Sequence, residues 1–598
     1  MTLLESQALS EALDTTTRCE PVTSRVIRQL LEALLHEGLV AYRGASRMGG
    51  WQWLHFSLGE LQGRCKGRVR GFGRVRLNVQ SLCLMRNGRQ VPIGLEVLVE
   101  SLPAPRECRQ TLLQELAASV RNTRDCRRVA QRRELQAEAL DSALHEGHPY
   151  HPCFKARLGF EGDDARRYGP EAGNVFRLHW LAVPHEQRQA SLPYDEEAFW
   201  RRELGTENAQ ALRAALHVAG ADPRRHAVLP VHPWQWQALR ERALAPALAR
   251  GEVIPLGPLG DRYRASQSLR SLFNASRPGQ ACIKLPLGIG NTSARRHLEP
   301  HSVPSAPAIS RWLRKTVEGD PRLQQDYPLR LLDEYAGLLY VGPGESQAER
   351  EGVAGELGAI WRRGIVSQLG EGERAVPLNA LFAVEVDGRA FIQPWVERHG
   401  LLPWLEAAIR RVVLPVWHLL VAHGIGVEAH AQNGLLVVRD GWPVALLLRD
   451  FHDSVEYVEA FLPEGANRPD FGERQPLYDL APDDRYYRMA EVEALRELVM
   501  DTLFVYHLSE LALLMECHCC LPEAEFWARV SACLTAYAQR HPELAPRLAQ
   551  LNYRQPRIAA EALLTRKLRG PDAGECHHRI PNALADAGAS DNRDHHRG

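Results

Sequence analysis

The sequence predicts an α+β chain of several domains, and three observations carry that prediction. At 598 residues the chain exceeds what one hydrophobic core organises, so it should divide. Alternating apolar runs bounded by turn signals lie in the first two thirds, where strands are expected. From about Leu401 onward, apolar residues recur at three- and four-residue spacing, so the last third should be mainly helical.

Taken in order, Ser24 to Leu39 has helical apolar spacing. The runs RVRLNVQSLCLM and VPIGLEVLVESL, separated by Arg86-Asn87-Gly88, read as strands around a turn. Cys108 to Glu146 reads as one or two charged helices. Strands are expected at Val175–Val183, Ala227–Val231 and Ile283–Ile289. Helices are expected at Trp404–His423, Glu491–Met515 and Glu523–Gln539. The boundaries that follow are 1–130, 131–390 and 391–575. Residues 576–598, with His577, His578, His595 and His596, read as a largely disordered polar tail.

Lys+Arg 73 against Asp+Glu 73 leaves no net field for binding nucleic acid or an anionic membrane. The N-terminus MTLLESQALSEALD is acidic and amphipathic, unlike a signal peptide. Leu498 to Leu521 is broken by Asp501, His507, Glu510 and Glu516 and reads as a core helix. A cytoplasmic protein is expected. Twelve cysteines lack paired spacing, as reduced thiols do; Cys517-His518-Cys519-Cys520 has no CxxC half-site and reads as buried thiols.

Four polar blocks carry chemistry. The densest is VEAHAQNGLLVVRDGWPVALLLRD, Val427 to Asp450. Asp440-Gly441 between apolar runs signals a hairpin, which would set Asp450 opposite Ala431 or Gln432. Glu428, His430, Gln432, Asn433 and Asp450 would then meet at its mouth. That set suits a Mg²⁺-bound phosphate, or is simply a solvated mouth. In His148-Pro149-Tyr150-His151-Pro152 with Lys155 and Arg157, prolines stiffen a basic loop that is either an anion site or a solvated turn. Ser266 to Ser271 sets Ser268 beside the planar fork of Arg270. In the strand IKLPLGI, Lys284 either faces an anion or snorkels from an edge. Asn291-Thr292-Ser293 reads as a helix N-cap with Arg296 one turn in, an anion site or an ordinary cap. No Walker A, GxGxxG, GxSxG or HExxH motif is present.

With these blocks in view, HPYHPCFKARLG, SLRS, KLPLGIGNTSARR and EAHAQN…RDF together resemble the NRPS-independent siderophore synthetases of the aerobactin-synthetase (IucA/IucC-like) type, from about residue 140 to IPNAL. The resemblance implies a cupped hand: a mixed α/β thumb (1–130), β-rich fingers (131–390) and a helical palm with a β-hairpin (391–575). It implies ATP and Mg²⁺, small-molecule carboxylate and amine or alcohol substrates, and a homodimer. His148, His151 and Lys155 would belong to the ATP-side loop. Ser268, Arg270, Lys284, Thr292, Ser293 and Arg296 would hold triphosphate and carboxylate. Glu428, His430, Gln432, Asn433 and Asp450 would contact nucleotide, Mg²⁺ and substrate. Two departures stand out: Ser271 where many members carry threonine, and His452-Asp453-Ser454 where a glycine is common nearby.

The implied reaction is adenylation of citrate, a citrate derivative or 2-oxoglutarate, followed by amide or ester formation. Arg270, Lys284 and Arg296 would stabilise phosphate charge, Glu428 and Asp450 would bind Mg²⁺, and His430 would orient the carboxylate or stabilise acyl transfer. One alternative is a kinase-like small-molecule phosphotransferase, since Asn433 and Asp450-Phe451 follow the kinase order. Another is a non-catalytic metal or siderophore carrier, suggested by 24 histidines.

Overall fold

The structure is a computed structural model whose described residues are 20–44, 50–126, 129, 131–292, 294–343, 346–570, 574 and 576–585. Helix Val22–His36 buries Val26, Ile27, Leu30 and Leu34, spaced along one stripe, against a five-stranded antiparallel sheet. Its strands are β1 (Tyr42–Arg43), β2 (Gln52–Leu58), β3 (Leu61–Val69), β4 (Val75–Arg86) and β5 (Arg89–Val91), in sequence order. Asn87 and Gly88, at φ 50° and 73°, make the tight turn from β4 to β5. The run VPIGLEVLVESL, expected as a strand, is instead mostly helix Leu95–Glu100. Leu95, Leu98, Val99 and Leu102 are all buried, so helical spacing governs there.

The middle of the chain supplies β6 (Phe176–Pro184), β7 (Arg188–Ser191), β8 (His226–Val231), β9 (Ile254–Ala265), β10 (Ser271–Asn274) and β11 (Cys282–Lys284). A hairpin of β12 (Leu287–Asn291) and β13 (Ala294–Arg296) follows, then helix Ser302–Gly319, β14 (Leu329–Leu331), β15 (Glu334–Tyr340) and β16 (Gly358–Arg362). Eight of these strands form one antiparallel sheet in the order β7-β15-β16-β11-β10-β9-β6-β8. The single strand expected over Ile283–Ile289 is therefore two, parted at Leu285-Pro286, where proline offers no N–H.

A second mixed sheet, β14-β20-β19-β17, contains β17 (Glu373–Pro377), β19 (Gly434–Arg439) and β20 (Trp442–Leu448), with β14 parallel to β20. Asp440 and Gly441, at φ 50° and 82°, form the expected hairpin turn. Arg439 faces Trp442; after one irregularity, Gly434 faces Leu448, and the same register carried on sets Asp450 against Gln432. Two small ribbons complete the strands: β18 (Ile425–Val427) with β21 (Val455–Tyr457), and β22 (Arg557–Glu561) with β23 (His577–Pro581). The expected polar tail is thus ordered at His577 and His578, because Ile580 is buried against β22; His595 and His596 lie outside the described residues. Cys517 and Cys519 are half-buried and Cys520 is exposed, so the buried-thiol expectation fails for Cys520, which ends helix Ser509–Cys519 at φ 54°.

Among the described residues one helical segment, Val492–Cys519, is long and apolar enough to cross a membrane, and 83% of its apolar 18-residue window is buried inside the protein. One hydrophobic core runs from Val26 through Ala156 and resumes from Ile309 to Leu584; a second is confined to Leu178–Trp361. The N-terminal sheet and the C-terminal helices therefore share a core. Buried ions cross that seam: Arg74 donates to Glu510 (2.7 Å) and to the Val505 carbonyl (2.8 Å), and Arg76 pairs with Glu510 and with Glu32 (3.0 Å). Replacing Glu510 by Ala leaves buried Arg74 without a carboxylate and buried Arg76 with Glu32 alone, and should cost about 3–5 kcal/mol, read from urea unfolding. A loss under about 1 kcal/mol, the size of an exposed pair, would contradict that role.

Candidate active site

The site forms where the two large sheets meet. β14 runs parallel to β20, and Leu332 N–H donates to the Leu448 carbonyl (2.9 Å). Past this point the chain from β14 passes through Asp333 into β15 of the eight-stranded sheet, while the chain from β20 leaves as Arg449 to Asp453. Glu334 thereby meets Asp450 and His452. Lys284 at the end of β11 and Arg362 at the end of β16 reach the same point, because β11, β16 and β15 are neighbours.

Asp450, at φ 65°, presents Oδ1 to Arg362 (2.7 Å) and Lys284 (3.2 Å). Burial opposes its charge, but Arg362, Lys284 and Arg449 outweigh burial and hold this carboxyl well below the usual carboxylate range. His452 is fixed through Nδ1 to Glu334 (2.8 Å) and through Nε2 to Asp453 (3.1 Å), and the second Glu334 oxygen accepts N–H from Phe451 (3.3 Å) and His452 (3.0 Å). Burial alone would discharge the imidazole; Asp453 and Glu334 overcome it and raise its pKa to about 9. Both ring nitrogens are thus donors. Lys284, 3.2 Å from Nε2, meets a fellow cation there, and burial lowers the lysine pKa.

Three cations (Lys284, Arg362, His452) balance three anions (Asp450, Asp453, Glu334). Arg270 and Arg296 are additional. Arg270 donates to the His297 carbonyl, and burial lowers its pKa. The Arg296 side chain makes no hydrogen bond or ion pair among the described residues; burial, then the charge of Arg270, brings its pKa down to about 10, with Glu428 opposing. Two guanidinium groups beside a neutral cluster form a site for an anion.

The opposite wall is the loop before β19. His430 Nδ1 accepts the N–H groups of Gln432 (3.1 Å) and Asn433 (3.2 Å), which leaves the proton on Nε2, 3.6 Å from Glu428. Glu428 accepts from Ser454 (2.9 Å), and Asn433 donates to the Glu428 carbonyl (3.1 Å). Nearby, His148 Nδ1 accepts the N–H groups of Tyr150 and His151; burial, then His430, lowers its pKa to about 3, so it is neutral.

The sequence profile of the IucA / IucC family matches residues 136–383, and that of the ferric iron reductase FhuF-like transporter family matches 402–575. A citryl-spermidine/3,4-dihydroxybenzoyl-citryl-spermidine:spermidine ligase from Bacillus anthracis is 33% identical over 94% of this chain and 93% of its own. The chain belongs to the IucA/IucC family of siderophore synthetases. The crystal structure of petrobactin biosynthesis protein AsbB from Bacillus anthracis str. Sterne superposes with TM-score 0.86 and 30% identity over 98% of both chains. Aerobactin synthetase IucC from Klebsiella pneumoniae gives 0.78 and 26% over 94% of this chain and 97% of that one. This synthetase is accordingly an ATP-dependent ligase of siderophore biosynthesis.

Several expected residues sit differently from the sequence reading. Asn291-Thr292-Ser293 starts no helix: Asn291 pairs with Ala294, Thr292 at φ 59° turns β12 into β13, and Ser293 lies outside the described residues. The Thr292 carbonyl accepts from Lys567 (3.2 Å). Lys155, 1% exposed, pairs with Glu171 (3.0 Å), because a lysine buried that deeply needs a carboxylate; its charge is met inside the fold. His151 is fully buried, with Nδ1 accepting from Cys153 N–H (3.1 Å) and Nε2 without a partner. Ser268 bonds Ser266 (2.9 Å) and accepts from Ser271 N–H (3.2 Å), shaping the turn that presents Arg270. Gln432 offers its carbonyl to Arg449 (2.9 Å). Glu334 and Arg362 escaped the sequence reading, and His452-Asp453 entered it only as a departure from the family pattern, not as site residues; Arg362-Arg363 closing the apolar run GAIW was the available signal.

The raised pKa of His452 makes stability depend on pH. Folding favours its protonated form, so the stabilisation is complete below about pH 6.5 and is lost as pH rises through about 9. The unfolding free energy from urea titrations should fall over that window by roughly 3 kcal/mol, and His452→Gln should flatten the profile. An unchanged slope in the variant would refute the imidazolium assignment.

Proposed function

We propose that this synthetase adenylates a carboxylate of citrate or a citrate derivative and passes the acyl group to an amine. The observation that carries the reading is the pair Arg270 and Arg296, whose side chains have no carboxylate at hydrogen-bond distance among the described residues, beside a charge-balanced cluster. Such a pair suits a polyphosphate and a polycarboxylate together. The citryl-spermidine ligase among the relatives supports a citryl substrate and a polyamine nucleophile.

The donor set fits a nucleotide with Mg²⁺. Both cations on Asp450 engage Oδ1, and Oδ2 has no partner among the described residues; Glu428 Oε1 has none nearer than His430 at 3.6 Å. These two oxygens would hold the ion, which supplies charge neutralisation across the phosphates. Buried His151 Nε2, also unpartnered, suits a phosphate oxygen on the ATP-side loop.

In the first step a substrate carboxylate oxygen attacks the α-phosphorus, the α–β phosphoanhydride breaks, and pyrophosphate leaves. Arg270, Arg296 and Lys284 meet the negative charge on the phosphates. His430, with its proton on Nε2, is a donor in this tautomer and not a base; it orients the carboxylate and then steadies the acyl oxygen. In the second step the amine nitrogen attacks the acyl carbon, AMP leaves, and the nitrogen releases its proton to solvent.

Citrate or a citryl monoamide with spermidine should release AMP and pyrophosphate; ADP as the product would overturn the reading in favour of a kinase. Arg296→Ala should lower kcat/KM for pyrophosphate release about 10²–10³-fold. The urea midpoint should not move, because Arg296 bonds no protein group among the described residues. Near-normal turnover in that variant would remove Arg296 from the site.

A further inference from the structure

We propose a second metal site, for a divalent first-row transition ion such as zinc, at Asp320, His418 and His423. Asp320 separates helix Ser302–Gly319 from helix Pro321–Gln324, and its Oδ1 accepts the Arg322 N–H (2.8 Å). His418 lies in helix Leu401–His423, and His423 is the last residue of that helix, before Gly424 at φ 68°. Both imidazole Nε2 atoms stand at Asp320 Oδ2, at 2.9 Å and 2.7 Å. The three donor atoms lie within 4.8 Å of one another. Two imidazoles and one carboxylate are the donor set of zinc and ferrous ions, whereas Mg²⁺ takes oxygen.

The surroundings fit an ion. His418 Nδ1 is 2.7 Å from the Tyr537 hydroxyl, so with Nε2 on a metal the ring would donate Nδ1–H to Tyr537 and be fixed in orientation. Arg322 pairs with Glu543 (3.0 Å), so its charge is already met. The side chains of His423 and Asp320 remain 22% and 12% exposed, which leaves an entry path and an open position for water. Bonds of about 2.0–2.1 Å set tetrahedral donors about 3.3 Å apart, so binding moves each imidazole nitrogen only about half an ångström away from Asp320 Oδ2. His423 precedes β18, which leads into Glu428, and Asp320 precedes β14, which leads into Glu334. An ion here would tie together the two segments that carry carboxylates to the active site.

The test titrates Zn²⁺ calorimetrically into the chelator-stripped full-length protein, with millimolar Mg²⁺ present to fill the oxygen sites. A single equivalent should bind, and Co²⁺ in its place should give a d–d spectrum without thiolate charge transfer. His423→Ala, at the exposed helix end, should weaken zinc binding by at least about 100-fold, and Tyr537→Phe, a gentler change, by about 10–100-fold. Cys520→Ser should leave it unchanged. The proposal falls if no zinc binds, or if His423→Ala and Tyr537→Phe bind it as the parent does. In either case Asp320 Oδ2 simply accepts two N–H groups.

Discussion

Two cations at the ends of neighbouring strands, Lys284 on β11 and Arg362 on β16, close on one oxygen of Asp450, and the candidate active site depends on that clamp. Neither cation is more than 7% exposed, and each would cost several kcal/mol to bury alone. Asp450 comes from a different sheet, on a residue held at φ 65°. The clamp is therefore both a charge balance and the joint between the eight-stranded and four-stranded sheets. Once it is closed, Glu334 and His452 follow, since β14 and β20 run side by side into it.

Balance at the centre gives the periphery its chemistry. Because the inner three cations and three anions cancel, the outer guanidinium groups of Arg270 and Arg296 have no carboxylate of their own at hydrogen-bond distance among the described residues. They are held by the fold, by the His297 carbonyl in one case and by the β12–β13 hairpin in the other, so little ordering cost falls on the binding step. The loop wall is prepared in the same way. Two backbone N–H groups fix the tautomer of His430 before any ligand arrives, and a third contact, Ser454 to Glu428, holds the carboxylate beside it.

What was legible in the sequence divides along the range of the interaction. The Asp440-Gly441 turn could be read because left-handed φ at two successive residues is a local demand. For Lys284 an apolar strand left two readings, an anion partner or snorkelling from an edge, and the partner itself could not be read, since Asp450 arrives from another sheet. Asn291-Thr292-Ser293 misled because a helix cap and a hairpin turn use the same residues; only the pairing of β12 with β13 decides between them. Lys155 misled for a related reason. A basic loop residue looks free until Glu171, contributed by a later segment, takes up its charge. The four motif blocks carried the family correctly because they record the whole site at once, while the individual ion pairs within it are settled by packing.

Two clusters that composition cannot tell apart differ in the charges packed around them. Glu334, Asp450 and His452 gather within 4.8 Å, as do Asp320, His418 and His423. In the first, Lys284 and Arg362 occupy an Asp450 oxygen and two carboxylates hold His452 protonated, so its imidazole has no lone pair to offer a metal. In the second, the carboxylate oxygen meets only imidazole, and the outer nitrogen of His418 already has a hydroxyl to receive its proton. Buried cations thus turn one acid–histidine group into a charge-balanced cluster with no imidazole lone pair to offer. Their absence from the other leaves a set of donors suited to a soft dication. Which chemistry a cluster performs is decided by the charges on the strands behind it.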